Sequence, residues 1–424
     1  MSARSIAVDA LVRIEDGAFA HILVPELLRK SALSARDRAL TTDLVYGTVR
    51  MQRAVDFLLD PLVSRPLASL DPPVRAALRL GAYQLLSGMP AHAAVGETVG
   101  VVSQRARGFV NGTLRALTRV GPPWQLPDDV GVRMSHPDWV IALLIDQFGE
   151  TDALATLAVD NEAPAVTLRV NESRTTPDAV TKEVRDADIE VESGALVPGS
   201  LIVRRTGDLA RLSAVRDGRV TPQDQASQAV VAALDPQPGE RVFDAAAAPG
   251  GKATAIAERL RDDGVVVAGD LHPGRVRTIA RTGSSLIQPL IADGRRPPLR
   301  ASSCDRVLLD APCSGLGVLR RRPDARWRVK PDDVVALAAL QRELIAAAAG
   351  LVKRGGRLVY SVCTLTRDET IDVDEWARGH LPDFAAVARL DAPWRPHGRG
   401  AIILPCDART DGMFVLTLDR VAVS

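Results

Sequence analysis

Two of the four cysteines close apolar runs: Cys313 follows DRVLLDAP (305–312) and Cys363 follows RLVYSV (357–362). If these runs are neighbouring parallel strands, both thiols open on one crevice at the strand ends, where a thiolate is a nucleophile able to add to an electrophilic carbon. A cysteine in an apolar strand is more often a small core residue. Pro312-Cys313 just after Asp310 is less easily explained by packing alone. Cys304 and Cys406 lack such context and read as structural. With no C-x-x-C pair and no nearby His cluster, neither a zinc site, nor any other metal, nor a disulfide framework is expected.

A second constellation lies upstream. The strand-like RVFDA (241–245) runs into Ala246-Ala247-Ala248-Pro249-Gly250-Gly251-Lys252, a glycine-rich turn opening a helix. Glycines let the backbone approach a ligand, and the helix start offers unpaired N–H groups, so a nucleotide-like ligand is expected here. A phosphate-binding P-loop is excluded, because Ala246 and Ala253 occupy positions that would need Gly and Ser or Thr. Asp270 follows 20 residues after Gly250 and ends VVVAGD, where an acid accepts hydrogen bonds from ribose hydroxyls. Asp293 follows PLIA in the same way. Acids at three strand ends, Asp244, Asp270 and Asp293, favour a cationic sulfonium cofactor carrying a ribose and an adenine over a pyrophosphate.

These groups need a scaffold, and the chain suggests three parts. Apolar spacings of three and four (Ile6, Ala10, Leu11, Ile14; Leu40, Leu44, Val45; Val74, Leu78, Leu85) predict an all-α domain of five to seven helices over 1–125. Ser34 with Asp37, and Asp71-Pro72-Pro73, mark helix starts. Residues 133–225 read as a helix at 135–158 followed by a small α+β module, with strands at 166–171 and 200–205 around a helix at 177–187. From 226 to 424 strands alternate with helices at 252–261, 273–283 and 332–350, the pattern of a parallel sheet wrapped by helices, a Rossmann-like α/β domain.

Composition limits the partners. Fifty-three basic residues meet 52 acidic ones, so any nucleic-acid surface must be local. Residues 295–330 hold ten Arg and Lys against three acids, enclosing Cys313, and could track a phosphate backbone with Trp327 as a stacking surface. The charged N-terminus is unlike a signal peptide, and no run of about 18 apolar residues is read. A cytoplasmic monomer without membrane contact is expected.

Taken in order, DAAAAPGGK (244–252), GD (269–270), ADG (292–294), DAPCSGLGVLRRRPDARWR (310–328) and YSVCTLTRDE (360–369) resemble the motifs of the Fmu/Sun family of RNA (cytosine-5)-methyltransferases, in its bacterial RsmB-like branch acting on 16S ribosomal RNA. ALTTDLVYGTVR (39–50) and GFVNGTLRALTR (108–119) resemble that branch's NusB-like RNA-binding domain, and SHPDWVIALLIDQFG (135–149) its connecting segment. The resemblance implies S-adenosylmethionine as cofactor, contacted by Ala246, Ala247, Ala248, Pro249, Gly250, Gly251, Lys252, Asp270, Asp293 and Asp310 or held in their surroundings. It implies Cys363 as nucleophile toward C6 of cytosine, Cys313 as the group assisting release, and Asp310 at the cytosine edge. The implied partner is 16S ribosomal RNA, free or in a small-subunit assembly intermediate. Three places depart from the family pattern: Ala245 and Ala246, where larger or sulfur-bearing residues often precede APGGK, Thr370 and Met413.

Two rivals remain at this stage. A DNA cytosine-5 methyltransferase would use the Pro-Cys thiol, Cys313, and leave Cys363 without a task. A non-catalytic RNA-binding or antitermination factor would need neither thiol nor the glycine turn.

Overall fold

The computed structural model describes residues 2–204, 212–282, 284–388 and 390–421, so the expected strand end at Arg205 and helix end at Gly283 lie outside the described residues. Contacts divide the chain into two compact units, Met1–Ala163 with Leu319–Arg328, and Pro164–Val318 with Val329–Ser424.

The first unit is all-helical. Helices α1 (Ala3–Glu15), α2 (Ala20–Lys30), α3 (Ala35–Arg50), α4 (Gln52–Leu59), α5 (Pro72–Leu86), α6 (Ala91–Gly100) and α7 (Gln104–Val120) precede α8 (Val130–Arg133) and α9 (Asp138–Asp160). Ser34 caps α3 by accepting the Asp37 N–H at 3.1 Å, and Pro72 and Pro73 occupy the first turn of α5, where a missing N–H costs nothing. The apolar stripe of α1 buries Ile6, Ala10, Leu11 and Ile14. It packs with Leu44, Leu59, Leu78, Leu80, Leu114 and Leu117, each fully buried and each contributing about 1.5–3 kcal/mol of transfer free energy. α9 is not one straight helix, since Gly149 has φ +79° and breaks it.

The second unit holds two sheets. β1 (Val166–Val170), β2 (Glu190–Ser193), β3 (Leu201–Arg204) and β4 (Val220–Pro222) form an antiparallel sheet in the order β2-β3-β1-β4, with α10 (Pro177–Asp186) and α11 (Ser213–Arg216). Its core is Leu168, Val180, Val184, Leu201, Val203 and Val220. After α12 (Gln225–Leu234) the chain builds the larger sheet. Its parallel strands are β5 (Arg241–Asp244), β6 (Val265–Asp270), β7 (Ile287–Ile291), β8 (Cys304–Asp310) and β9 (Val352–Val362), connected in part by α13 (Gly251–Arg259), α14 (Pro273–Ala280) and α16 (Pro331–Leu351). The short α15 (Ala325–Arg328) lies in the segment belonging to the first unit. α17 (Ile371–His380), β10 (Phe384–Ala386), β11 (Arg395–His397), β12 (Gly400–Ile403), α18 (Pro405–Ala408) and β13 (Met413–Arg420) complete the chain.

Strand order is β11-β12-β13-β9-β8-β5-β6-β7, with β13 antiparallel to β9 and β10 paired to β13. From β5 the chain winds outward through β6 and β7, then returns to β8 on the other flank of β5. Strand order reverses between β5 and β8, and a doubly wound sheet opens a crevice at that point, outside the carboxyl ends of its strands. α16 is long and apolar enough to cross a membrane by length and composition. It packs instead on β8 and β9, burying Val334, Ala338, Leu344, Ile345, Ala348 and Ala349 as a core helix.

Candidate active site

The glycine-rich turn is pinned from both sides. The Ala245 N–H donates to the Leu308 carbonyl at 2.9 Å and the Ala247 N–H to that of Gly269 at 2.8 Å, so the turn hangs between β8 and β6. Gly250, at φ +109°, starts α13, and a Cβ there would sit 3.1 Å from Thr282 Cγ2. The turn therefore needs glycine both for its backbone angle and for its close packing. Arg169 on β1 clamps the start of α13 from the smaller sheet, donating to the Gly251 carbonyl at 3.0 Å and to Glu258 at 2.8 and 2.9 Å.

Acids gather around this turn, but less negatively than their number suggests. Asp244 is fully buried, and burial, then the charge of Asp310, pushes its pKa up to about 7 while Lys252 opposes the shift. It is thus only partly charged near neutrality. Asp310, at the end of β8, accepts from Lys252 Nζ at 2.7 Å and from the Ser361 hydroxyl at 2.9 Å. Asp270, 4% exposed at the end of β6, accepts the His272 N–H at 3.0 Å and lies 3.4 Å from the Arg275 guanidinium. Asp293 follows β7, but Arg295 grips both its oxygens at 2.7–3.1 Å and holds its pKa down to about 2. The small Ala246, Ala247 and Ala248 carry no bulk or charge of their own beside these carboxylates, a donor set that fits a cofactor with hydroxyls and a single positive charge.

The two thiols meet. Cys313, three residues past the end of β8, and Cys363, one residue past β9, place their Sγ atoms 3.3 Å apart. Their environments differ. Hydrogen bonding to Cys363, then burial, then the charges of Cys363, Glu369 and Asp310 push the Cys313 thiol well above its ordinary value. The neighbouring sulfur and burial thus both favour the protonated Cys313 thiol. Burial disfavours the Lys252 ammonium, yet the Asp310 contact outweighs burial and the net shift is upward, with Cys363 adding to it. Cys363 therefore lies near enough to the Lys252 ammonium for the two to interact.

Sequence reasoning missed the groups that hold the thiol loops. Glu369, fully buried, accepts from the Ser314 N–H (2.9 Å), the Ser314 hydroxyl (2.5 Å), Gln341 Nε2 (2.9 Å) and the Thr366 hydroxyl (2.9 Å). Tyr360 donates to Gln341 Oε1 at 3.0 Å. The Gly317 N–H donates to the Cys363 carbonyl at 3.0 Å, and a Cβ on Gly317 would lie 2.2 Å from the Gly412 carbonyl oxygen. Glu369 ends the YSVCTLTRDE run, but its role shows only when β8 and β9 are known to be adjacent. Among the departures from the family pattern, Met413 is a 2% exposed core residue and Thr370 donates to the Thr366 carbonyl at 2.7 Å.

The basic run at 295–330 is not the continuous open surface expected. Arg306 pairs with Glu240, and Arg320 and Arg326 are buried. Trp327 is part-buried against the helical core, with its indole N–H donated to the Val49 carbonyl at 2.8 Å. Arg295, Arg296, Arg300, Arg322 and Lys330 are exposed.

Comparison with known proteins places this architecture. Residues 231–419 match the family model of the 16S rRNA methyltransferase RsmB/F, residues 1–119 the NusB family, and residues 136–210 an RsmF/B-like ferredoxin-like domain. The chain is 36% identical to the probable ribosomal RNA small subunit methyltransferase B of Bacillus subtilis, covering 99% of each chain. It is 34% identical to ribosomal RNA small subunit methyltransferase B of Pseudomonas syringae pv. tomato, covering 100% of this chain and 98% of that one. The crystal structure of PH0851 superposes with a TM-score of 0.85 at 26% identity over 99% of each chain. That of NSun6 from Pyrococcus horikoshii, solved with SFG, shares the fold at a TM-score of 0.61 and 21% identity, covering 68% of this chain and 99% of that one. With relatives of this identity along its whole length and all three of its parts matched in order, the chain belongs to the RsmB/F family of methyltransferases, with a NusB domain at its N-terminus.

Proposed function

We propose that this protein methylates C5 of a cytidine in 16S ribosomal RNA, with Cys363 as the nucleophile. It is an S-adenosylmethionine-dependent methyltransferase, and the cofactor supplies a methyl group on a positively charged sulfur. The observation that carries the reading is the 3.3 Å thiol pair with its unequal surroundings. C5 of cytosine is a poor nucleophile; addition of the Cys363 thiolate to C6 moves electron density onto C5, which can then accept the methyl group. Asp310, anchored by Lys252 and Ser361, is the group assigned to the cytosine edge, where its carboxylate can accept a hydrogen bond from the exocyclic amino group and orient the ring.

The same pair supports a division of labour in time. Before attack, the Cys363 sulfur is the largest influence keeping Cys313 protonated. Once Cys363 is a thioether on C6 it carries no charge, and Cys313 ionises more readily. It then becomes available to take the C5 proton, whose departure allows the C6–S bond to break. Cys313 thus assists release.

Asp270 is assigned to the cofactor ribose. Asp270→Ala is expected to weaken S-adenosylmethionine binding by about 1.5–3 kcal/mol, the range for hydrogen bonds to a charged group; titration calorimetry with unchanged affinity rejects the assignment. The function itself is tested by bisulfite mapping of 16S ribosomal RNA from cells with and without the protein. A cytidine resistant to conversion only in its presence is expected, and identical maps overturn the reading.

A further inference from the structure

We infer that Glu369 is the positioning residue that locks the two thiol loops together, so that Cys313 and Cys363 are held at contact distance without the help of RNA. The inference deepens the proposed reaction and rests on it only for the consequence, since the clamp itself is a property of the protein. Ser314 directly follows Cys313, and Glu369 takes both its N–H and its hydroxyl. Thr366 lies three residues after Cys363, and Glu369 takes its hydroxyl too. One buried carboxylate therefore spans both loops. The link is doubled by the Ser314 and Thr364 hydroxyls, 2.6 Å apart, the latter on the residue after Cys363. Gln341 on α16 fixes the carboxylate from the third side, and its own amide is held by Tyr360 and by donation to the Pro312 carbonyl at 2.8 Å.

The donor pattern gives the clamp a signature that simple core packing would lack. One carboxylate oxygen receives two N–H groups, which can only donate, and the other receives two hydroxyls, which can donate or accept. A glutamine at 369 keeps all four contacts if its oxygen faces the N–H pair and the hydroxyls turn round to accept from its NH₂. Alanine or leucine cannot, and each removes all four contacts, leaving the Ser314 N–H and the Thr366 hydroxyl without the acceptor they have here.

The test reads thiol proximity directly. Diamide takes two electrons and two protons from a pair of adjacent thiols, becoming its hydrazine while they become a disulfide. Peptide mapping of the full-length protein then gives the rate at which Cys313 and Cys363 couple. Relative to wild type, Glu369→Leu is expected to slow coupling by roughly tenfold or more, with Glu369→Gln within about threefold. Thr366→Val, which removes one arm only, is expected to fall between them, so the result stands even if the leucine variant folds poorly by circular dichroism. In methylation assays kcat should follow the coupling rate, while KM for S-adenosylmethionine stays as in wild type. Wild-type coupling in a folded Glu369→Leu or in Thr366→Val, or a glutamine variant as slow as leucine, overturns the clamp. A wild-type protein that couples its thiols through Glu369 but methylates no RNA would instead overturn the proposed function and leave the clamp intact.

Discussion

Cys363→Ala is expected to bring methyl transfer down by on the order of 10⁴-fold or more, because it removes the only group proposed to activate C5. Cys313→Ala has a different expected outcome. Its protein keeps the Cys363 thiol, Lys252 and the cofactor crevice, so it should complete one methyl transfer per active site and then stall. The 3.3 Å Sγ separation makes this a sharp comparison, since two nearly superposable deletions stop the cycle on opposite sides of the chemical step. Quench-flow measurement with labelled methyl donor checks it. A single-turnover burst in Cys313→Ala and none in Cys363→Ala is expected, and equal multiple-turnover rates for the two variants contradict the division of labour.

Arg326→Met is expected to cost about 3–5 kcal/mol of stability in the helical unit, a large part of the roughly 5–15 kcal/mol that holds a typical domain folded. Arg326 is completely buried. Its guanidinium donates to the carbonyls of Arg50 (3.2 Å), Ser135 (3.0 Å) and Asp160 (3.2 Å) and to the Asn161 side chain (2.9 Å). It thereby joins α3, the start of α9 and its end. Burial pulls its pKa below the ordinary arginine value to about 9, with Asp160 opposing and Arg50 adding. A base with a lowered folded pKa loses stability when charged, so this cost is present at neutral pH and eases as pH rises above about 9. The hydrogen bonds must offset it. Methionine removes the charge but strands the acceptors it satisfied, and denaturant unfolding measures the difference. A loss below about 1 kcal/mol would contradict the role given to Arg326. Deletion of residues 1–125 is a poor test of RNA binding for the same reason, because it also strips the packing from Leu319–Arg328.

That segment also shows where sequence reasoning stops. Apolar spacing found the helices, since Ile6, Ala10, Leu11 and Ile14 do face one core, and the strand-helix alternation after residue 235 pointed to the parallel sheet with its glycine turn between first strand and helix, while the strand order came only from the structure. Charge counting failed at RRRPDARWR. A guanidinium reads the same in sequence whether it meets a phosphate or a ring of buried carbonyls, and Arg326 meets carbonyls. Arg328 likewise pairs with the buried Asp324 at 3.0 Å and stacks 3.9 Å over Phe19. Asp293 shows the same limit of counting, because its ion-pair partner Arg295 is only two residues away and was counted toward the basic run. Glu369 was invisible for a third reason: its partners come from positions 314, 341 and 366, and nothing local announces that they converge.

The central claim is that Cys363, not Cys313, forms the bond to the pyrimidine. The most direct measurement mixes labelled 16S ribosomal RNA, S-adenosylmethionine and each cysteine variant, then separates the products on a denaturing gel. Cys313→Ala should give a slow-migrating protein–RNA band, because it adds to C6 and cannot leave. Cys363→Ala should give none. RNA carrying 5-fluorocytidine should trap wild type in the same position, since fluorine cannot depart as a proton. A band with Cys363→Ala and none with Cys313→Ala would make the Pro-Cys thiol the nucleophile and contradict the mechanism.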